Sequence, residues 1–465
     1  MKTAVSLFKS IILSVVLLIP AICVADEPIN LNVQFSAQQQ QRIELEFEHK
    51  GSVVLTRDEK SEDDKYQRLP MKTVAKLGYF QRFTGKGKTN QAIRYYDQAE
   101  GRYEVHSGKT GAALNKSNRL VVVRARNNDG KRVQMASIVN TLSQAELDLL
   151  RNPLDPLSIP GLINQKNVAV GKKWKPTDDA LATFLAADRI IRNDVKVSVR
   201  DIKGGIARIF VVGKLRAAID DVTTAIEMSS EIRVAMGQTQ TLKNVKLNIR
   251  EIRQPGQIAP GFDGRTSIAL TATDDNSCKF LTASALAKLT KGRVVEQRLQ
   301  LKAPGLLLKY DPRWRVIASE DEAAILRFLS NGSLMAQCNI VKLPSRPASR
   351  PLTMKDYRKE IAKIIAADDK AKIVHTDNFR TADKSEVLSI EVRGEEENVP
   401  ISWVYYHVNH TDGRRVTVVF TLEAEVIDNF RPHDKKLVQG LAFQKVVPPS
   451  PSVREAVREL EGSRR

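Results

Sequence analysis

Apolar and polar residues alternate through much of the first 270 positions. Ile43-Glu44-Leu45-Glu46-Phe47-Glu48, Val53-Val54-Leu55 and Arg119-Leu120-Val121-Val122-Val123-Arg124-Ala125-Arg126 follow period two in short segments parted by polar connections. This predicts half-buried antiparallel strands, because successive side chains of a strand point to opposite faces. Thr141 to Leu150 breaks the habit. Leu142, Ala145, Leu149 and Leu150 take helical spacing, with Ser143 as N-cap and Glu146 three residues on. Asn152-Pro153-Leu154-Asp155-Pro156 and Ile159-Pro160-Gly161 then read as a connector between two β-rich halves, since proline fixes φ and interrupts a hydrogen-bond ladder. A helix is expected over Thr177 to Asp188. Strands follow at Asp194 to Asp201 and Ile206 to Leu215, turned by Gly204-Gly205, and at Ala225 to Val234, Lys243 to Ile252 and Arg265 to Ala272. The pattern leaves open whether residues 26–300 form one domain or two halves split near 152–165.

Beyond Pro304 the character changes. Leu306 to Leu308, Trp314 to Val316, Ala323 to Leu329 and Leu334 to Ile340 read as the first strands of a new domain over 301–445, with a turn at Asn331-Gly332. Thr353 caps a helix on which Met354, Tyr357, Ile361, Ile364 and Ile365 share a face, and that stripe needs a sheet to cover. Ala371 to His375, Ser385 to Arg393, Ile401 to Val408 and Arg415 to Leu422 supply it, the last two joined by a hairpin at Asp412-Gly413. Glu425 to Phe430 reads as a turn of helix and Asp434 to Leu441 as a closing helix, before a charged tail at 446–465. The expected fold class is α+β, a large antiparallel β-rich N-terminal body followed by a smaller α/β domain.

Tyr310-Asp311-Pro312-Arg313-Trp314 opening that domain, and Trp403, Tyr405 and Tyr406 with Val416 to Phe420 in its central hairpin, resemble the PsbP-like superfamily. So does the order strand pair, long helix, antiparallel sheet, terminal helix. The resemblance covers about 301–445 and implies an α/β/α sandwich, a fold also used by small bacterial lipoproteins and nuclear-transport accessory proteins. It supplies no catalytic residue set. More loosely, Val168-Ala169-Val170-Gly171-Lys172-Lys173-Trp174 resembles a Val-x-Val-Gly-x-x-Trp segment of uncharacterised exported bacterial β-rich proteins. Folds of this kind carry unrelated functions, so the resemblance bears on architecture first.

Met1, Lys2 and Lys9, the apolar run Ile11 to Ile19, and Val24-Ala25 before Asp26 have the order of a secretory signal peptide over 1–25. The expected mature chain is periplasmic or secreted. No later stretch approaches the ~20 apolar residues of a membrane-spanning helix. With 73 Lys+Arg against 54 Asp+Glu the formal charge is +19, and loss of Lys2 and Lys9 with the leader leaves +17. Such a balance attracts anionic partners. Arg119, Arg124, Arg126 and Arg132, and later Arg346, Arg350 and Arg358, are the basic-surface candidates. No helix-turn-helix, finger or RNA-binding signature accompanies them, and export argues against work on nucleic acid. An anionic envelope component, a protein or an apolar small molecule remain as partners.

Trp314, Trp403, Tyr405 and His407 are the ligand-surface candidates. Strand alternation puts Trp403, Tyr405 and His407 on one face and Val404, Tyr406 and Val408 on the other. Exposed together they would receive an apolar ligand or peptide; packed under a helix they are ordinary core. His407, His410 and Asp412 are too few for a zinc site, and no HExxH or paired CxxC occurs. Neither metal nor cofactor is expected. Cys278 and Cys338 read as two separate buried thiols, and no serine lies in a GxSxG turn. Gly85-Lys86-Gly87-Lys88 and Gly108-Lys109-Thr110-Gly111 read as hairpin turns, and Glu391 with Glu395 to Glu397 as an exposed acidic loop. With no catalytic residues in evidence, the leading expectation is a non-enzymatic exported binding or accessory protein. A carrier of an apolar ligand in a curved N-terminal sheet comes second, and a hydrolase third.

Overall fold

A computed structural model describes residues 28–34, 40–56, 66–84, 90–125, 134–219, 222–255, 260–290, 298–301, 305–309, 314–330, 333–347, 350–366, 370–381 and 383–443. It has a mixed α+β architecture, with a large antiparallel sheet followed by a second sheet and its helices. In the large sheet the strands run Lys173–Trp174, Lys196–Lys203, Ile206–Ile219, Val222–Ala235, Thr241–Arg253, Gly261–Asp274, Gln40–Thr56, Tyr66–Phe83, Asn90–Val105, Leu120–Ala125 and Gln134–Ser137. The alternating pattern is expressed in space: Ile43, Leu45, Leu247, Ile249, Ile268 and Leu270 are buried on one face. Against that face pack the helices Gln144–Leu150, Ile159–Ile163 and Asp178–Phe184, which share one apolar cluster with it. Ser143 caps the first of them in a capping box with Glu146, and Thr177 caps the third.

The connecting segment is buried. Gly261–Asp274 pairs with Gln40–Thr56 from Gly261↔Val54 to Asp274↔Gln41, so the strands on either side of residues 152–163 belong to one sheet. Leu154, Leu157 and Ile159 are at most 1% exposed. Arg94, also buried, donates to both carboxylate oxygens of Asp155 at 2.8 and 2.7 Å, and its guanidinium lies 4.8 Å from the Tyr79 ring centroid. Pro156 and Pro160 stand at the first turns of short helical segments in the core, where a bidentate ion pair ties the segment to the sheet.

The second sheet has the order Trp314–Ser319, Ala323–Ser330, Ser333–Leu343, Arg415–Glu423, Val399–Asn409, Glu386–Glu396, Lys372–Arg380. One face packs against helix Ile427–Gln439 through Trp314, Phe328, Phe420 and Phe430. The other packs against helix Met354–Ile365 through Leu352, Tyr357, Ile361, Leu388 and Ile390. Thr353 caps the latter helix as its sequence suggests, but Ile364 is 63% exposed because it falls at the flank of the stripe centred on Tyr357 and Ile361.

Four further expectations change. Leu306–Lys309 does not open the second sheet; it joins Arg298–Gln300, Leu142–Ser143 and Ala442–Phe443 in a separate four-stranded sheet. Ile427–Gln439 is one helix with Pro432 inside, where two were expected. Glu391 is not in a loop but 3% exposed on a strand, held by Arg393 at 2.9 Å and by Arg431. Gly108 to Ala113 forms a strand, and the turn precedes it at His106, whose φ is 54°. The Gly85 to Lys88 and Asn331-Gly332 turns lie outside the described residues.

Candidate functional site: a basic groove across the large sheet

The outward face of the large sheet carries a row of charge that chain order hides. Strand pairing sets Lys214, Glu227, Arg250, Arg265, Lys50 and Lys72 directly opposite one another on six successive strands. Two positions along the same strands runs a second row, Val212, Ser229, Asn248, Ser267 and Glu48. Residues two apart share a face, and all of these except the half-buried Glu48 are exposed. Between the rows the chain shows only the backbone of Gly213, Met228, Ile249 and Thr266, since the last three turn their side chains to the buried side. The result is an open groove of about 780 Å³ that crosses five strands.

Its two walls differ. On one side Lys214, Arg250, Arg265 and Lys50 outnumber Glu227; on the other, Ser229, Asn248 and Ser267 offer hydroxyl and amide groups. Glu48 pairs with Lys50 at 2.7 Å, and Glu227 stands 3.9 Å from Lys214. The hydrogen bond from Lys50 holds the Glu48 carboxyl below its usual range, and Lys72 adds to the effect. Among the described residues, no carboxylate lies within ion-pair reach of Arg250 or Arg265, which face each other across a strand pair. Like charges directly opposite destabilise a sheet; Glu227 opposite Arg250 offsets part of that cost, and an anion joining the pair would offset more. A guanidinium presents five donors in a planar fork suited to carboxylate or phosphate oxygens.

Close backbone approach positions the row. Gly51 and Gly264 are directly opposite one another beside Lys50 and Arg265. A Cβ on Gly264 would fall 2.5 Å from His49 Cε1, and one on Gly51 would fall 2.4 Å from the Asp263 carbonyl oxygen. His49, buried beneath the row, fills the space left at Gly264: its Nδ1 is 2.8 Å from Thr266 Oγ1 and its ring stacks on Phe262. Burial lowers the His49 pKa, which keeps that ring neutral under a cationic surface.

The residues singled out from sequence are dispersed. Trp314 is 5% exposed, its ring centroid 5.0, 5.6 and 5.9 Å from those of Phe328, Phe420 and Phe430, so it is core and not a ligand surface. Trp403, Tyr405 and His407 occupy the opposite face of that sheet, under helix Met354–Ile365. Trp403 and Tyr405 are half-buried. His407 is 2% exposed, 3.0 Å from Asn409 Oδ1, and burial with nearby Arg415 and Arg346 lowers its pKa to about 4. His410 turns instead to Asp412, with Nδ1 2.7 Å from Oδ1. Among the described residues no group of three metal-ligating side chains gathers. Cys278 and Cys338 are both buried and are not joined to each other by a disulfide.

Arg119 and Arg124 are half-buried, and Arg124 donates to Gln91 Oε1 at 2.8 Å. Arg126 and Arg132 lie outside the described residues. Arg346, Arg350 and Arg358 are exposed near the second sheet. The groove cations were missed because they are scattered from Lys50 to Arg265; their outward positions are legible, but their common register is not.

No family model matches the chain. No curated protein matches it. Among solved structures, similarity is found to the cyanobacterial PsbP of Synechocystis sp. PCC 6803, at 16% identity over 33% of this chain and 96% of that one, with a TM-score of 0.25. A Pseudomonas aeruginosa protein of unknown function, described as a putative regulator, is 12% identical over 30% of this chain and 99% of its own, with a TM-score of 0.21. A Bacteroides thetaiotaomicron protein is 12% identical over 32% of this chain, with a TM-score of 0.23, and the chain spans only 49% of its length. Similarities of this strength are weak and low in identity, and the functional reading rests on the groove itself.

Proposed function

We propose that the chain is an exported binding or accessory protein whose working surface is the groove, and whose partner is anionic. The observation that carries this is the facing pair Arg250 and Arg265, both exposed, in a row where Lys50, Lys72 and Lys214 outnumber Glu227, which stands opposite Arg250. An anion bound between the two forks would offset their repulsion and satisfy their donors.

The export leader over 1–25 and the domain division at 300 belong to the same proposal, as does a PsbP-like identity for residues 301–445. Support for the last is the layout, a sheet with Met354–Ile365 on one face and Ile427–Gln439 on the other. No helix among the described residues is long and apolar enough to cross a membrane. The carrier reading is weaker, because the apolar face of the large sheet is taken up by the chain's own helices.

The test is retention of the processed protein on a carboxylated cation-exchange matrix. Arg250→Gln with Arg265→Gln should elute at clearly lower salt than Lys246→Gln with Arg358→Gln, which removes two exposed cations outside the groove. Equal elution of the two variants would remove the groove from the function.

A further inference from the structure

We infer that the groove takes a linear polysaccharide carrying one carboxylate on each sugar, laid across the strands; this rests on the anion-binding reading above. Three features of the site lead to that class.

The first is the period of the charge. Arg250, Arg265, Lys50 and Lys72 stand directly opposite one another on four successive strands. Neighbouring strands are ~4.8 Å apart, so the cations repeat at that interval over about 14 Å. A head-to-tail pyranose chain advances by a similar step per sugar, and because successive units turn about the chain axis, the carboxylates of a twofold chain that face the row meet every second cation. A single anion, such as a lipid headgroup, engages only one or two of the four.

The second is the wall facing the cations. Ser229, Asn248 and Ser267 are exposed on three adjacent strands, in register with one another, and none is committed to another side chain among the described residues. Hydroxyl and amide groups that both donate and accept are what sugar hydroxyls require. A chain lying in the groove therefore meets cations along one side and hydroxyl and amide groups along the other.

The third is the floor. It is peptide backbone of Gly213, Met228, Ile249 and Thr266, and no aromatic side chain lines the groove. Single-stranded nucleic acid is held by aromatic stacking platforms as well as by charge, and this surface has none. Val212 is the single exposed large apolar side chain of the lining, too little for insertion into lipid.

The experiment measures binding of the full processed chain to four probes: oligogalacturonates of increasing length, the same oligomers as methyl esters, single-stranded polythymidylate, and phosphatidylglycerol vesicles. The expected result is binding of the acid oligomers alone, with affinity rising with length until the cation row is spanned and then levelling. Arg250→Gln and Arg265→Gln should each weaken it about tenfold, the scale of one charge-assisted contact. Lys246→Gln, with unchanged circular dichroism as for the other variants, should retain it. Equal or tighter arginine-dependent binding of polythymidylate or vesicles would overturn the polysaccharide inference and leave an anion-binding groove standing. Arginine-dependent binding of the methyl esters would overturn it too, since the carboxylate would not be what is read. Failure of every probe, or binding indifferent to both arginines, would overturn the inference and the groove reading together.

Discussion

Asp434 shows how one buried carboxyl sets a pH response. It is 2% exposed beneath the second sheet, accepting from the Tyr406 hydroxyl at 2.9 Å and the Lys435 amide at 2.6 Å. Burial outweighs those bonds and raises its pKa to about 6. Folding therefore favours the protonated form: the stabilisation is complete below the unfolded value near 3.8 and is lost as pH rises through 6. By linkage the loss at pH 7 amounts to roughly 3 kcal/mol. Asp434→Asn should be more stable than the wild type at pH 7 in urea titrations, and the gap should close near pH 4. A gap independent of pH would show that the carboxyl stays ionised in the fold. Arg94 and Asp155 behave oppositely, as two charges that neutralise each other inside the core. Asp155→Ala leaves the guanidinium buried and unpaired, and should cost about 3–5 kcal/mol in the same titration. A loss under 1 kcal/mol would mean that the connector segment is held by its apolar residues alone.

Strands and helices differ in how openly they declare themselves. Helix Met354–Ile365 was readable because its cap, Thr353, and its buried stripe, Tyr357 and Ile361, all lie within twelve residues. The strands Val222–Ala235, Thr241–Arg253 and Gly261–Asp274 were readable for the same local reason, their period of two. What two strands do together is not local. Arg250 and Arg265 each look like an ordinary solvent-facing residue, and only the register Arg250↔Arg265 turns them into a repelling pair. The stability consequence is testable without a ligand. Replacing both by threonine, a good strand former, should raise unfolding free energy by up to about 1 kcal/mol while weakening anion retention. A fall in stability would mean that the pair is already neutralised within the folded chain.

In the whole molecule, the two sheets have separate apolar clusters, with a four-stranded sheet of distant segments between them in the chain's pairing scheme. Leu142–Ser143 comes from the first β-rich stretch, and Ala442–Phe443 from the end of the described chain. We expect calorimetry to resolve two transitions, and Trp314→Ala to lower only one, by about 10 °C for a truncation worth about 3–5 kcal/mol. A single transition that moves as a whole would show that the small sheet couples both cores into one cooperative unit. The amino-acid sequence by itself determined the β-rich character of residues 40–274, the capped helices at Ser143, Thr177 and Thr353, and the strongly basic balance. Each of these depends on neighbours a few residues apart, through side-chain periodicity or a single cap. Tertiary structure alone decided that residues 152–163 are core, that Trp314 and His407 are buried on opposite faces, and that cations from Lys50 to Arg265 stand in one row. Those outcomes turn on pairings such as Gly264↔Gly51, more than 200 residues apart in the chain, where shifting the register by one residue would exchange the buried and exposed faces.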